Sequence, residues 1–127
     1  MSLITGKQFK RVLVVDDVAD NIFLVQFILE SQGYEVDTAQ SGKAALAQIE
    51  TANPKPDLII LDLMMPEMNG FDVIDRLRSQ TNLPHIPTIL MTANISVSCQ
   101  QAKRAGADEV IYKPLELEQF VAKIALF

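Results

Sequence analysis

An α/β fold with a parallel sheet between two layers of helices is predicted, on three observations. Val12-Leu13-Val14-Val15 and Leu58-Ile59-Ile60-Leu61 are apolar without alternation, the pattern of strands buried on both faces. The segments between such runs have helical length and apolar residues spaced by three and four. Strand-like and helix-like segments then alternate five times along 127 residues, a length that makes one domain with a substantial core. Repeated βα alternation gives parallel strands, right-handed crossovers and helices on both faces.

In chain order, Arg11–Val15 is the first strand and runs into Asp16-Asp17. A helix is expected from about Ala19 to Gln32, capped by Asp17 or Asp20 and stopped by Gly33. Tyr34–Ala39 mixes Glu35, Asp37 and Thr38 with Val36 and Ala39, which suits an edge strand. Ser41 can cap a helix to about Glu50 that turns the small Ala44 and Ala45 inward. Pro54 and Pro56 precede the central strand, which ends on Asp62; Pro66 and Asn69-Gly70 then mark a loop. A third helix is expected over about 70–79, with Phe71, Ile74 and Leu77 on one face. Pro84 and Pro87 bracket a loop before Thr88–Met91, a strand that ends at Thr92. A weakly apolar helix is expected over about 96–105, stopped by Gly106. Glu109–Tyr112 is the fifth strand and ends at Lys113-Pro114. A last helix carries Leu117, Val121 and Ile124 on one face. The domain is expected to span 9–127, with residues 1–8 as a tail.

Composition narrows the function. The net charge of −5 argues against a nucleic-acid surface, which would need a basic patch. Cys99 is the only cysteine, so no internal disulfide forms and a reducing, cytoplasmic setting is expected. The first ten residues do not read as a signal peptide, and no apolar run approaches the roughly 18 residues of a membrane span.

The strand ends carry the chemistry. In a parallel sheet the C-terminal ends share one edge, where ligands of open α/β sheets bind. Asp16, Asp17, Asp62, Thr92 and Lys113 are therefore expected in one cleft. Singly, the Asp pair reads as a helix cap, Thr92 as a turn residue and Lys113-Pro114 as a strand terminator. Together they place three repelling carboxylates beside a hydroxyl and an ammonium, an arrangement a cation relieves. With oxygen ligands and no His or Cys, Mg2+ is favoured over zinc. Lys113 and Thr92 offer a point charge and a hydroxyl donor for a phosphoryl group. A carboxylate can itself be the nucleophile and form an acyl phosphate. Asp62 suits that role because it ends the central strand.

These residues carry a resemblance. Asp16-Asp17, the run from Leu61-Asp62-Leu63-Met64-Met65-Pro66 to Glu67-Met68-Asn69-Gly70, Thr92-Ala93 and Lys113-Pro114 resemble the receiver domain of two-component response regulators. The likeness runs from about Phe9 to the end of the chain. It implies a flavodoxin-like fold with strand order 2-1-3-4-5, and a phosphorylation-operated switch rather than an enzyme on other substrates. It implies that Asp62 takes a phosphoryl group from a histidine kinase or phosphotransfer protein. Asp17, Asp62 and the Met64 carbonyl would ligate Mg2+, with Asp16 acting mostly through water. Lys113 would pair with Asp62 or its phosphoryl group, Thr92 would turn inward to a phosphoryl oxygen, and Lys113-Pro114 would be cis. No DNA-binding or enzymatic output domain is expected to follow Phe127. The likeness is thus to stand-alone receivers that act by binding an output protein, with homodimerisation left open. The tract Asp17-Val18-Ala19-Asp20-Asn21 also resembles receivers that work with hybrid kinases.

Family members commonly carry an aromatic three residues before the lysine, moving with the threonine. Here Val110 holds that position and Tyr112 adjoins Lys113. The switch is therefore expected to run through Thr92 and the backbone of 93–97, with Tyr112 outside it. The first helix carries more apolar residues than one buried stripe needs, among them Phe23 and Phe27, which suggests a contact surface. Met64 and Met65 read as packing residues, Cys99 as a semi-buried one and His85 as a loop residue without a role. A haloacid-dehalogenase-type phosphatase would want a second Asp two residues after the nucleophile, where Met64 stands. The glycines fit neither the dinucleotide fingerprint nor the phosphate-binding loop. A scaffold that is never phosphorylated would not need the acidic set with Thr92 and Lys113.

Overall fold

The computed structural model describes residues 10–127; the expected tail over 1–8, together with Phe9, lies outside the described residues. The elements are β1 (Arg11–Val15), α1 (Ala19–Ser31), β2 (Glu35–Ala39), α2 (Gly42–Thr51) and β3 (Leu58–Asp62), then α3 (Gly70–Arg78), β4 (Thr88–Thr92), α4 (Cys99–Arg104), β5 (Glu109–Tyr112) and α5 (Leu117–Ile124). The strands form one sheet in the order β2-β1-β3-β4-β5, and every pairing is parallel. The predicted architecture and order therefore hold, with β2 at an edge.

Side chains of a strand point alternately to opposite faces, and here each face has its own core. Leu13, Val15, Ile59, Leu61, Leu90 and Val110 pack with Ala45, Ile49, Val73, Ile74, Leu77 and Ala102 of α2, α3 and α4. Val12, Val14, Leu58, Ile60, Ile89, Met91 and Ile111 pack with Ile22, Val25, Leu29, Phe120 and Ile124 of α1 and α5. All five residues of β3 and of β4 are buried, which explains their unbroken apolar runs. Each fully buried Leu, Ile or Val contributes about 1.5–3 kcal/mol, so register is enforced along the whole sheet.

At the N-terminal edge, two aspartates lock register in the same way. Asp57, just before β3, accepts from the Arg11 N–H at 2.9 Å, and its own N–H donates to the Arg11 carbonyl at 2.8 Å. Asp108, just before β5, accepts from the Thr88 N–H at 2.8 Å, and its N–H donates to the Thr88 carbonyl at 2.8 Å. Arg78 adds a tie from the end of α3 to the Gly106 carbonyl, the Ile86 carbonyl and Asp108. His85, expected to be idle, meets the same Asp108 at 3.1 Å.

Several helix details differ from expectation. Neither Asp17 nor Asp20 caps α1; Val18 is the N-cap and offers no side-chain bond. Instead Asp16 accepts from the Val18 N–H at 2.9 Å, which holds the chain as it leaves β1. Ser41 caps α2 as expected, but only Ala45 faces inward and Ala44 is exposed. The fourth helix starts at Cys99 rather than Ser96, because Asn94 and Ser96 are used in turns and Ser98 is the cap. Its first residue, Cys99, is exposed rather than semi-buried. In α5 the buried residues are Phe120 and Ile124, whereas Leu117 is exposed. Leu117 is the first residue of the helix, and the inward stripe begins one turn later at Phe120.

Candidate functional site

The parallel arrangement brings the predicted strand ends to one edge. β1 leads into Asp16-Asp17, β3 ends on Asp62, β4 ends on Thr92, and β5 is followed by Lys113. Carboxylate oxygens of Asp16, Asp17 and Asp62 lie within 4.8 Å of one another. Asp16 and Asp62 are buried, at 5% and 6% exposed, and Asp17 opens to solvent. Lys113 donates through Nζ to Asp62 Oδ1 at 2.8 Å, and the same nitrogen stands 3.7 Å from Asp16 Oδ2. Thr92, 1% exposed, is not bonded to these acids: its Oγ1 accepts from the Asn94 N–H at 3.0 Å.

Local sequence accounts for each placement. Lys113 is held beside Thr92 because its N–H donates to the Thr92 carbonyl at 2.8 Å, continuing the β4–β5 ladder by one residue. The Lys113-Pro114 bond is cis, as the resemblance implied, and so is Asn53-Pro54, which no sequence signal announced. The loop after Asp62 doubles back tightly. Met68 donates to the Pro66 carbonyl at 2.7 Å, a three-residue turn that forces Glu67 to φ 68°, an uncommon angle for a residue with a Cβ. Gly70 then donates to the Leu63 carbonyl at 2.8 Å. A Cβ on Gly70 would lie 2.9 Å from the Asp62 carbonyl oxygen and the Leu63 Cα. Only glycine lets the start of α3 approach the end of β3 this closely. Asn69 and Asp72 close that helix start with reciprocal bonds of 3.0 Å, a capping box.

Burial pushes the Asp62 carboxyl above its usual value, and the negative charges of Asp16 and Asp17 push the same way. The bond and charge of Lys113 oppose the shift without cancelling it. One ammonium beside three carboxylates leaves the edge electronegative, so the donor set fits a hard, oxygen-seeking dication. Met64, read as a packing residue, instead exposes 66% of its surface next to this edge, while Met65 is buried. No helix among the described residues is long and apolar enough to cross a membrane.

Large apolar side chains are exposed on the segments that leave the sheet at this edge. Val18, Met64, Ile95 and Leu117 are exposed at 45%, 66%, 83% and 57%. They lie one on each segment that follows β1, β3, β4 and β5. Sequence reading found only the neighbouring group on α1, where Phe23, Leu24 and Phe27 are exposed at 72%, 50% and 68%. The rim was legible only once the four loops were known to converge.

Comparison with known proteins gives a consistent picture. The family model for the response regulator receiver domain matches residues 12–125. The chain is 38% identical over 115 residues to the response regulator PleD of Caulobacter vibrioides, covering 90% of this chain and 25% of that protein. It is 37% identical over 116 residues to the alkaline phosphatase synthesis transcriptional regulatory protein PhoP of Bacillus subtilis, covering 91% and 47%. The chain thus spans from a quarter to just under half the length of these curated relatives. Among solved structures, the chemotaxis response regulator CheY4 of Vibrio cholerae superposes with a TM-score of 0.84 at 32% identity, covering 94% of this chain and 98% of that one.

Proposed function

The chain belongs to the response regulator receiver domain family, and on that premise we propose that Asp62 is its phosphoryl acceptor. The observation that carries this reading is the buried Asp62 carboxylate, grouped with Asp16 and Asp17 and bonded to Lys113 at 2.8 Å. A carboxylate oxygen of Asp62 attacks the phosphorus of the donor. The P–N bond of a phosphohistidine breaks, its electron pair returns to the imidazole, and an acyl phosphate forms on Asp62. Lys113 moves from the carboxylate to a phosphoryl oxygen, and the Thr92 hydroxyl donates to another. Water later attacks the acyl phosphate, frees inorganic phosphate and returns the carboxylate.

Asp16, Asp17 and Asp62 are the residues that would hold Mg2+, with the Met64 carbonyl as the further ligand that the family resemblance implies. When bound, the dication supplies positive charge that offsets repulsion between the acids and an incoming phosphoryl group.

The donor in this reading is a histidine kinase or phosphotransfer protein, and the output is binding to another protein. The apolar rim of Val18, Met64, Ile95 and Leu117 supports a protein donor, since a small phosphodonor needs no such collar. Phe23 and Phe27 extend the docking surface along α1. The test is incubation of the protein with a small-molecule phosphodonor and Mg2+, which is expected to add one hydroxylamine-labile phosphoryl group. Asp62→Asn should abolish the labelling, and an acyl phosphate on that variant would overturn the assignment.

A further inference from the structure

Thr92 and Tyr112 are Cα partners across the β4–β5 ladder, so their side chains leave the sheet on the same face. Both are tied to the segment between β4 and α4, one at each end. Thr92 Oγ1 accepts from the Asn94 N–H at 3.0 Å. Asn94 Oδ1 accepts from Ser96 N–H at 3.0 Å and from Ser96 Oγ at 2.6 Å, and the Asn94 carbonyl accepts from the Val97 N–H at 3.2 Å. The Val97 carbonyl in turn accepts from the Tyr112 hydroxyl at 2.6 Å. An unbroken chain of hydrogen bonds therefore runs from Thr92 through 94–97 to Tyr112. Tyr112, expected to stay outside the switch, is thus bonded directly to the segment that the switch is expected to use.

The far end of α4 is held differently. Gly106, at φ 111°, adopts a conformation that side chains rarely tolerate. Its carbonyl is gripped by Arg78 Nε at 3.2 Å and Nη2 at 3.0 Å. One end of the six-residue helix is thus clamped to α3 by a charged network, whereas the tie from the other end to β5 is a neutral hydroxyl, beside the local Ser98 cap. Burial raises the Tyr112 pKa, and Cys99, with Sγ 3.8 Å from the hydroxyl, adds to the effect. The hydroxyl therefore stays protonated and able to donate near neutral pH.

We propose that the Tyr112–Val97 hydrogen bond is a latch on the N-terminal end of α4, released when Thr92 turns to a phosphoryl group on Asp62. This rests on the reading of Asp62 as acceptor. When Thr92 rotates, the Asn94 N–H loses its acceptor, the turns over 94–97 shift, and the Val97 carbonyl draws away from Tyr112. The segment bearing Ile95 and the Cys99 end of α4 then swing about Gly106. Residue 110 needs no large ring in this scheme, because the hydroxyl of Tyr112 does the coupling from two residues further along the strand.

The test combines hydrogen exchange of the Asn94–Gln101 amides with Asp62 labelling, in wild type and Tyr112→Phe, with and without beryllofluoride and Mg2+. Beryllofluoride stands in for the phosphoryl group. The latch predicts that Tyr112→Phe alone speeds exchange over 94–101 about five- to tenfold, the factor that one neutral hydrogen bond is worth. It predicts that beryllofluoride produces a similar rise in wild type and little further rise in the variant. Labelling of Asp62 and protection of the β3 amides should be unchanged by the substitution. Normal labelling with no change over 94–101 on adding beryllofluoride would overturn the latch alone. Additive effects of the variant and beryllofluoride would also overturn it. Absence of any labelling in wild type would instead overturn the acceptor reading, and the latch with it.

Discussion

Lys113 Nζ lies 2.8 Å from Asp62 Oδ1 and 3.7 Å from Asp16 Oδ2, so one ammonium serves two buried carboxylates. That ammonium occupies part of the charge balance a dication would otherwise provide. Replacing Lys113 with Ala removes the competing cation, and Mg2+ binding is expected to tighten or stay unchanged. Titration of Mg2+ followed by NMR checks this. The same variant should lose the loop response to beryllofluoride, because no charged donor remains to move from carboxylate to phosphoryl oxygen. Weaker Mg2+ binding would mean that Lys113 shapes the acidic edge rather than balancing its charge.

Asp62 links function to stability. Its carboxyl titrates above the ordinary 3.8, from burial first and the neighbouring acids second, against the pull of Lys113. The unfolded chain gives up this proton at lower pH than the native protein does. Stability from this group is therefore greatest below the unfolded value and declines as pH rises through the folded one. Asp62→Asn removes the unfavourable charge, so its Tm is expected to exceed that of wild type at pH 7. The gap should close as pH approaches the ordinary carboxylate value. Thermal unfolding of both proteins at several pH values is the measurement. A variant less stable than wild type at pH 7 would contradict the direction.

Mg2+ is expected to raise the wild-type Tm, because a ligand that binds only the folded state stabilises it by mass action, about 2.7 kcal/mol at a hundred times Kd. Asp17→Ala should lose most of that shift and the small-molecule labelling of Asp62 with it. Asp17 is the open member of the acidic set, so the substitution leaves the core intact. Undiminished labelling in excess EDTA would remove the metal from the reaction.

The strand ends were legible in sequence because each apolar run stops at a polar residue that a buried strand cannot hold, and parallel order does the rest. Asp62 and Lys113 are read this way without any helix detail. Helix facing was less legible. Whether Leu117 or Phe120 faces inward depends on how α5 docks, and both lie in the same apolar pattern. The late start of α4 was hidden because Ser96 and Ser98 are equally good caps by residue type, and only the Asn94 turn decides between them. Tyr112 looked idle because the partner of its hydroxyl is a backbone carbonyl fifteen residues away, which no side-chain pattern encodes.

Phe23 and Phe27 stand one helical turn apart on α1 and are exposed at 72% and 68%. Changing both to Ser should slow phosphoryl transfer from a donor protein while sparing labelling by a small molecule. Stability should change little, within about 0.5 kcal/mol for each, as expected for surface positions. Stopped-flow transfer beside small-molecule labelling separates the two effects. An equal loss of both rates would place these rings in support of the site rather than in docking.

The Arg78–Asp108 pair stabilises the end of the sheet opposite the acidic edge. Arg78 donates to the Gly106 and Ile86 carbonyls and to Asp108, at 3.0 to 3.2 Å, and its side chain is only 22% exposed. Asp108 also accepts the Thr88 N–H. Arg78→Ala leaves two carbonyls and a carboxylate short of donors, a loss of about 2–4 kcal/mol for a partly buried charged network. Asp108→Asn keeps an acceptor for Thr88 but weakens the ion pair, so its cost is expected to be smaller. His85 is 57% exposed, and His85→Ala should cost less than about 1 kcal/mol, in line with exposed ion pairs. Denaturant unfolding of the three variants gives the order Arg78→Ala, Asp108→Asn, His85→Ala. Because the network clamps the Gly106 end of α4, Arg78→Ala is also expected to loosen the amides around 103–107. Asp62 labelling should persist, since none of these groups reaches the acidic edge. Loss of labelling in a folded Arg78→Ala protein would show that the two ends of the sheet are coupled more tightly than these contacts allow.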